Sequence, residues 1–311
     1  MEMDLADIYS GVVFDWVLFG YVFVASTSGA FFICLNNRDK WKEIGIRKVL
    51  GQALAICWLD TGLVVGILLT SVGVMAIVSN QEAFTDLERL YQVMPIVLGT
   101  FLWGGLLTGA GYCLLDDELT IKTRIKPFQL ILAALLILLP FFSQIGQTTL
   151  PFSQFFTNNQ ATSYFFSILL TLMLLALGFG SKKSTLLVAI NANLVATLGG
   201  MAMGISLWFV EGADYNASTD AIYFIANILM FGSLVYLFLY LLSLLFERAG
   251  DCNYQTKSWH FAEATAFFLF LVYAPVGTTE FLRESTDQAN QQANNEAQQL
   301  EINQLKAQIK L

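Results

Sequence analysis

The residues of this chain that could do chemistry are few, and most of them stand in apolar company. Asp60 lies inside the apolar run 49–79, with Gln52, Trp58 and Thr61 on the same stretch. An ionisable group at the centre of a membrane span costs at least about 2.5–3.5 kcal/mol, so its presence there points to a use. It follows Lys48 by twelve residues, which at 1.5 Å per residue puts it roughly 18 Å from a basic edge, near the bilayer midplane. Two roles suit such an acid: a proton relay or cation ligand, or a protonated carboxyl bonded to a neighbouring helix. Thr61, Asn191 and Asn227 are further polar positions in apolar runs, and with Asp60 they make a candidate proton or ion pathway.

Asp15 and Trp16 form a second constellation, where the chain enters its first apolar run. They read either as an interfacial acid beside a belt tryptophan or as a proton acceptor at headgroup level. His260 is the single histidine, so a haem held by two histidines of this chain cannot be built, nor can a His-rich zinc or copper site. Any redox role is then limited to quinone binding, or to electron transfer handled by other subunits. The chain has no Gly-rich phosphate loop, Cys-x-x-Cys pair, Glu-x-x-His helix or evident nucleophilic triad, so catalysis by this chain alone is not expected. Cys34, Cys57, Cys113 and Cys252 are scattered singly and read as small hydrophobes rather than a disulfide framework.

The elements that must position these groups are membrane helices. Of 311 residues, 56% are hydrophobic and only 13% charged, with a mean hydropathy of +0.61. That is about half the charge of a soluble domain, so the missing solvated surface must face lipid. Runs long enough to span, at roughly 20 residues each, fall at about 12–35, 49–79, 92–115, 127–146, 163–181, 185–210, 221–246 and 262–281. The expected fold is therefore an all-α, polytopic bundle of about eight helices over 1–282. Pro275 and Gly277 interrupt the last run and leave a re-entrant segment open. The net charge of −8 comes without a basic stripe, which argues against nucleic acid as a partner.

Basic residues set the orientation. Arg38, Lys40, Lys42, Arg47 and Lys48 lie in the first loop, Lys122, Arg124 and Lys126 in the third, Lys182 and Lys183 in the fifth, and Arg248 and Lys257 in the seventh. The even loops hold only Arg89. Odd loops are thus expected in the cytoplasm and both termini outside, in a bacterial inner membrane. Residues 283–311 form a polar tail in which Ile302, Leu305 and Ile309 recur at helical spacing; it reads as a short helix that grips a partner or as a solvated end. The pairs Gly62/Gly66, Gly105/Gly109 and Gly200/Gly204 allow close helix approach, and the stripe Ser26–Ala30 lets another helix or a flat ligand press against the backbone. Asn191, Asn193, Asn227, Ser143 and Gln144 read by default as hydrogen-bonding glue between helices.

The stretch from Asp15 and Trp16 through Tyr21 to Ser28-Gly29-Ala30 is similar to the first helix of the polysulfide-reductase and dimethyl-sulfoxide-reductase membrane anchors, the NrfD-like superfamily. Such helices open with a Trp and a polar residue, then run through aromatic residues to a small-residue segment. The resemblance covers about the first 60 residues and the eight-helix topology. It implies a haem-free subunit that binds quinol near the outer face, at Asp15, Trp16 and Tyr21, and passes electrons to an iron–sulfur partner. The chain departs from the family's Asp-Leu-Gly-Arg-Pro-like stretch, since Asp60-Thr61-Gly62 lies within a helix with no Arg or Pro after it. The histidine often found near that quinone site has no counterpart.

Three functional readings remain open at this point. The first is the respiratory or electron-transfer subunit that the resemblance implies, anchoring partners by its outer loops and tail. The second is an ion- or proton-coupled transporter or channel centred on Asp60. The third is a structural subunit of a larger membrane assembly.

Overall fold

The structure is a computed structural model that describes residues 16–79, 87–116, 119–148, 152–156, 159–178, 184–211, 215–246, 263 and 265–266. The chain divides into two compact units, Met1–Thr265 and Ala266–Leu311, and all the architecture below belongs to the first. Its helices are α1 (Trp16–Asn36), α2 (Arg38–Ile44), α3 (Ile46–Ser79), α4 (Leu87–Leu114), α5 (Pro127–Gln147), α6 (Asn159–Gly178), α7 (Thr185–Glu211) and α8 (Tyr215–Leu245). A 3-10 turn, Phe152–Phe156, precedes α6. No strand occurs among the described residues.

Six of these helices are long and apolar enough to cross a membrane, and α6 carries a shorter apolar stretch, Gln160–Ala176. Only helices and closed barrels satisfy their backbone groups in lipid, so the chain is an all-helical, multi-pass membrane protein. The expected eighth span, 262–281, and the tail 283–311 lie outside the described residues except for Glu263, Thr265 and Ala266. The helices α1, α3, α5, α6 and α7 overlap the apolar runs 12–35, 49–79, 127–146, 163–181 and 185–210, of which residues 12–15 and 179–181 lie outside the described residues, and α4 and α8 start at Leu87 and Tyr215.

α3 is the hub. It packs most extensively on α4 and also on α8 and α1, while α7 packs on α8 and α6. The apolar stretch of α3 is 94% buried and that of α5 only 33%, which places α3 at the centre and α5 at the lipid boundary. Phe128, Ile131, Leu135, Leu139 and Phe142 make the exposed stripe of α5 at three- and four-residue steps. In water such a stripe would be a liability; in hydrocarbon it is the surface the solvent prefers.

The α3–α4 contact depends on missing side chains. A Cβ on Gly104 would stand 2.6 Å from the carbonyl oxygen of Gly62 and 3.1 Å from Cα of Gly66. Gly62 and Gly66 thus act as expected, but their partner on α4 is Gly104, flanked by the buried Thr100 and Thr108, rather than Gly105 and Gly109. Around Gly109 nothing lies within 4 Å. One residue is about 100° of helix rotation, so Gly105 turns partly aside, where a Cβ would meet only Leu63 of α3 at 3.8 Å, while Gly104 faces the α3 backbone. Gly200 and Gly204 of α7 do meet α8, against Ile228 and Ile225.

Three amides hold the connections at one end of the bundle. Gln52 Nε2 donates to the carbonyls of Asp116 and Leu119, both at 3.0 Å, and its Oε1 accepts from Asp116 N at 2.8 Å. Asn37 brackets Lys122, donating to its carbonyl at 2.8 Å and accepting from its N–H at 2.9 Å. Asn36 donates to the Arg124 carbonyl at 2.9 Å. The α4–α5 connection is therefore pinned by its backbone. Gly45 takes φ +90 between α2 and α3, a left-handed conformation that favours glycine.

Candidate functional site

Asp60 sits on α3 eight residues past Gln52, so it lies about 12 Å along the helix from the loop that Gln52 clamps. It is partly buried, and among the described residues its carboxyl accepts no hydrogen bond and meets no cationic side chain.

Around Asp60 four helices contribute a polar layer. Tyr236 of α8 donates to the Asp60 main-chain carbonyl at 3.2 Å. One turn further on, the Tyr240 hydroxyl lies 3.5 Å from Cys57 Sγ. From the α1 side, Thr27 Oγ1 accepts from Trp58 Nε1 at 3.1 Å. Thr61 Oγ1 donates to Cys57 O at 2.8 Å and lies 3.4 Å from Ser26 O. From α4, Thr108 Oγ1 bonds Trp58 O at 3.1 Å. The small stripe Ser26–Ala30 is what lets α1 approach: a Cβ on Gly29 would stand 3.2 Å from Cys57 Sγ. That stripe packs against a helix, α3.

The remaining expected positions are dispersed. Asn227 is fully buried on α8 and donates back to Tyr223 O at 3.3 Å. Asn191 is half-buried on α7, while Asn193, two residues away on another face, is fully buried and donates to Gly232 O at 2.9 Å. Among the described residues no hydrogen bond joins these asparagines to Asp60 or Thr61, so the pathway drawn from sequence is gathered only at its α3 members.

At the α1 entrance, Asp15 lies outside the described residues. Trp16 begins α1 and is 73% exposed. Tyr21 bonds Ser143 of α5 at 2.8 Å, and Gln144 reaches Leu69 O of α3 at 3.0 Å, so both α5 polar residues act as helix glue. An aromatic ladder descends from Trp16 through Phe19 and Phe23 to Trp58, with centroid steps of 5.9, 5.5 and 6.0 Å. Phe19 also meets Trp103 at 4.7 Å. Cys34 and Cys57 are buried as expected, whereas Cys113 is exposed near the end of α4. Cys252 and His260 lie outside the described residues.

Sequence reasoning missed Tyr236 and Tyr240, which lie 176 and 183 residues from their α3 partners. Their spacing of four on one helix was a usable sign of a shared face. No protein-family model, curated protein or solved structure matches the chain.

Proposed function

We propose that the chain is a proton-coupled membrane transporter or channel in which Asp60 is the group that takes up and releases the proton. The observation that carries this reading is a carboxyl deep in the central helix with no cationic partner among the described residues. Hydroxyls and a thiol cluster on its helix and on the neighbouring α8. A structural acid is normally matched by a donor aimed at its oxygens; this one is accompanied instead by groups bonded to the backbone beside it. Intramembrane acids that face the bundle interior are characteristic of proton relays and ion pathways.

The test uses the full chain reconstituted in vesicles that enclose a pH-sensitive dye. Under an imposed potential, proton entry is expected to exceed that of protein-free vesicles, and Asp60→Asn is expected to remove the increment. Wild-type entry no faster than in protein-free vesicles would overturn the reading. So would an increment that persists unchanged in Asp60→Asn at equal amounts of reconstituted chain, and either result would favour the structural-subunit alternative.

A second reading, a haem-free quinol-binding subunit of an electron-transfer complex, draws on the aromatic ladder that begins at Trp16. Flat rings spaced along one helix suit a quinone headgroup, and Tyr21 supplies a hydroxyl on the same helix, shared with Ser143. Quinone co-purifying with the wild type and lost in Tyr21→Phe together with Phe19→Leu would support it. Its absence from lipid extracts of the purified chain would remove it.

A further inference from the structure

Residues 121–126 lead into α5, with Lys126 in extended conformation, and their exposure alternates. Lys122, Arg124 and Lys126 are exposed, Thr123 is half-buried, and Ile125 is buried. The alternation is the period of two that an extended backbone imposes. Ile125 is held inward, its N–H donating to Leu244 O of α8 at 3.1 Å. Asn36 and Asn37 fix the carbonyls of Arg124 and Lys122. The backbone is thus clamped while three cationic side chains are presented outward from one edge.

Directly below this edge, α5 and α8 leave a groove of about 270 Å³. Leu130, Ala134 and Leu138 line it from α5, and Phe238, Leu241 and Leu242 from α8. The lining is entirely apolar, and Ala134, the small residue in the middle of an i, i+4, i+8 row, makes the hollow. Lys126 precedes Leu130 by four residues, about 6 Å along the chain axis. A bilayer's headgroup layer is about 5–7.5 Å deep on each side of the hydrocarbon. Cation and groove are therefore spaced as the phosphate and acyl chain of one lipid are. Asp116, the acid of this connection among the described residues, lies at its opposite end, where its N–H donates to Gln52 of α3.

We propose that this groove seats an acyl chain of an anionic phospholipid whose phosphate is held by Arg124 and Lys126. Charge complementarity selects the occupant: a zwitterionic lipid or a neighbouring apolar helix would fill the groove but would leave the clamped cations without a counter-charge. The basic loops also face the leaflet that carries anionic lipid in the orientation the positive residues imply. The site is independent of the proton-coupled reading of Asp60.

The experiment is native mass spectrometry of the full chain in detergent, titrated with phosphatidylglycerol or phosphatidylcholine of the same acyl composition. Two basic side chains predict a preference of about 30-fold for phosphatidylglycerol. The double variant Arg124→Gln/Lys126→Gln is expected to bind both lipids equally. Ala134→Phe, which fills the groove, is expected to bind neither. Equal retention of the two lipids by the wild type would overturn the proposal. So would a preference that survives the double variant, or a lipid-free dimer that Ala134→Phe dissolves.

Discussion

The hydroxyl of Tyr236 donates to the main-chain carbonyl of Asp60 across 3.2 Å, joining α8 to the centre of α3 over a separation of 176 residues. That carbonyl also belongs to the α3 helical ladder, so the tyrosine adds a second donor where the helix already has one. The contact fixes the register of α8 against the level of the acid and leaves the carboxyl itself untouched. Tyr236→Phe is accordingly expected to keep the fold and to cost about 0.6 kcal/mol, the average for intramembrane hydrogen bonds. Equilibrium unfolding in mixed detergent–dodecyl sulfate micelles measures it. A loss of several kcal/mol would show that Tyr236 does more than tie two helices.

Glycine substitutions on α4 discriminate its packed face from its lipid face. Gly104→Ala places a methyl 2.6 Å from the Gly62 carbonyl oxygen, against backbone that has no rotamer with which to yield. A destabilisation of about 1–3 kcal/mol is expected in the same unfolding assay. Gly109→Ala meets nothing within 4 Å. There the gain in helix propensity is expected to stabilise by up to about 1 kcal/mol. Equal effects at the two positions would contradict the α3–α4 interface.

The clamp on the α4–α5 connection has a protease readout. Asn37 makes two hydrogen bonds to the Lys122 backbone, at 2.8 and 2.9 Å, and a third to Ile33 O. Removing them in Asn37→Ala is expected to release the segment by about 1–2 kcal/mol. Tryptic cleavage after Lys122 and Arg124 is then expected to run roughly 5–30-fold faster than in the wild type. An unchanged cleavage rate would mean that the connection is held by other contacts.

Much of this architecture was legible in the sequence because lipid imposes it. Spans such as 127–146 and 185–210 follow from apolar length alone, and Pro127 marks the start of α5 without ambiguity. Asp60 was legible for the same reason, as an acid in an apolar run. The face of each helix was not. α4 carries Thr100, Gly104 and Thr108 beside Gly105 and Gly109, and a small-residue pattern cannot choose between sets one residue apart. The amide clamps were equally hidden. Gln52 reads as a neighbour of Asp60 along α3, yet it spends its amide on the backbone of Asp116 and Leu119, and backbone acceptors carry no sequence signature. Tyr236 and Tyr240 became partners of α3 only once α8 was docked.

Proton exchange by Asp60 inside the bundle is tested most directly by infrared difference spectroscopy of the reconstituted chain between acidic and alkaline buffer. The expected result is a carbonyl-stretch band from a protonated carboxyl in a low-polarity setting, shifted by deuterium exchange and missing in Asp60→Asn. A difference spectrum that is the same in the wild type and Asp60→Asn would contradict it, and would return Asp60 to the role of a structural residue in a helix bundle.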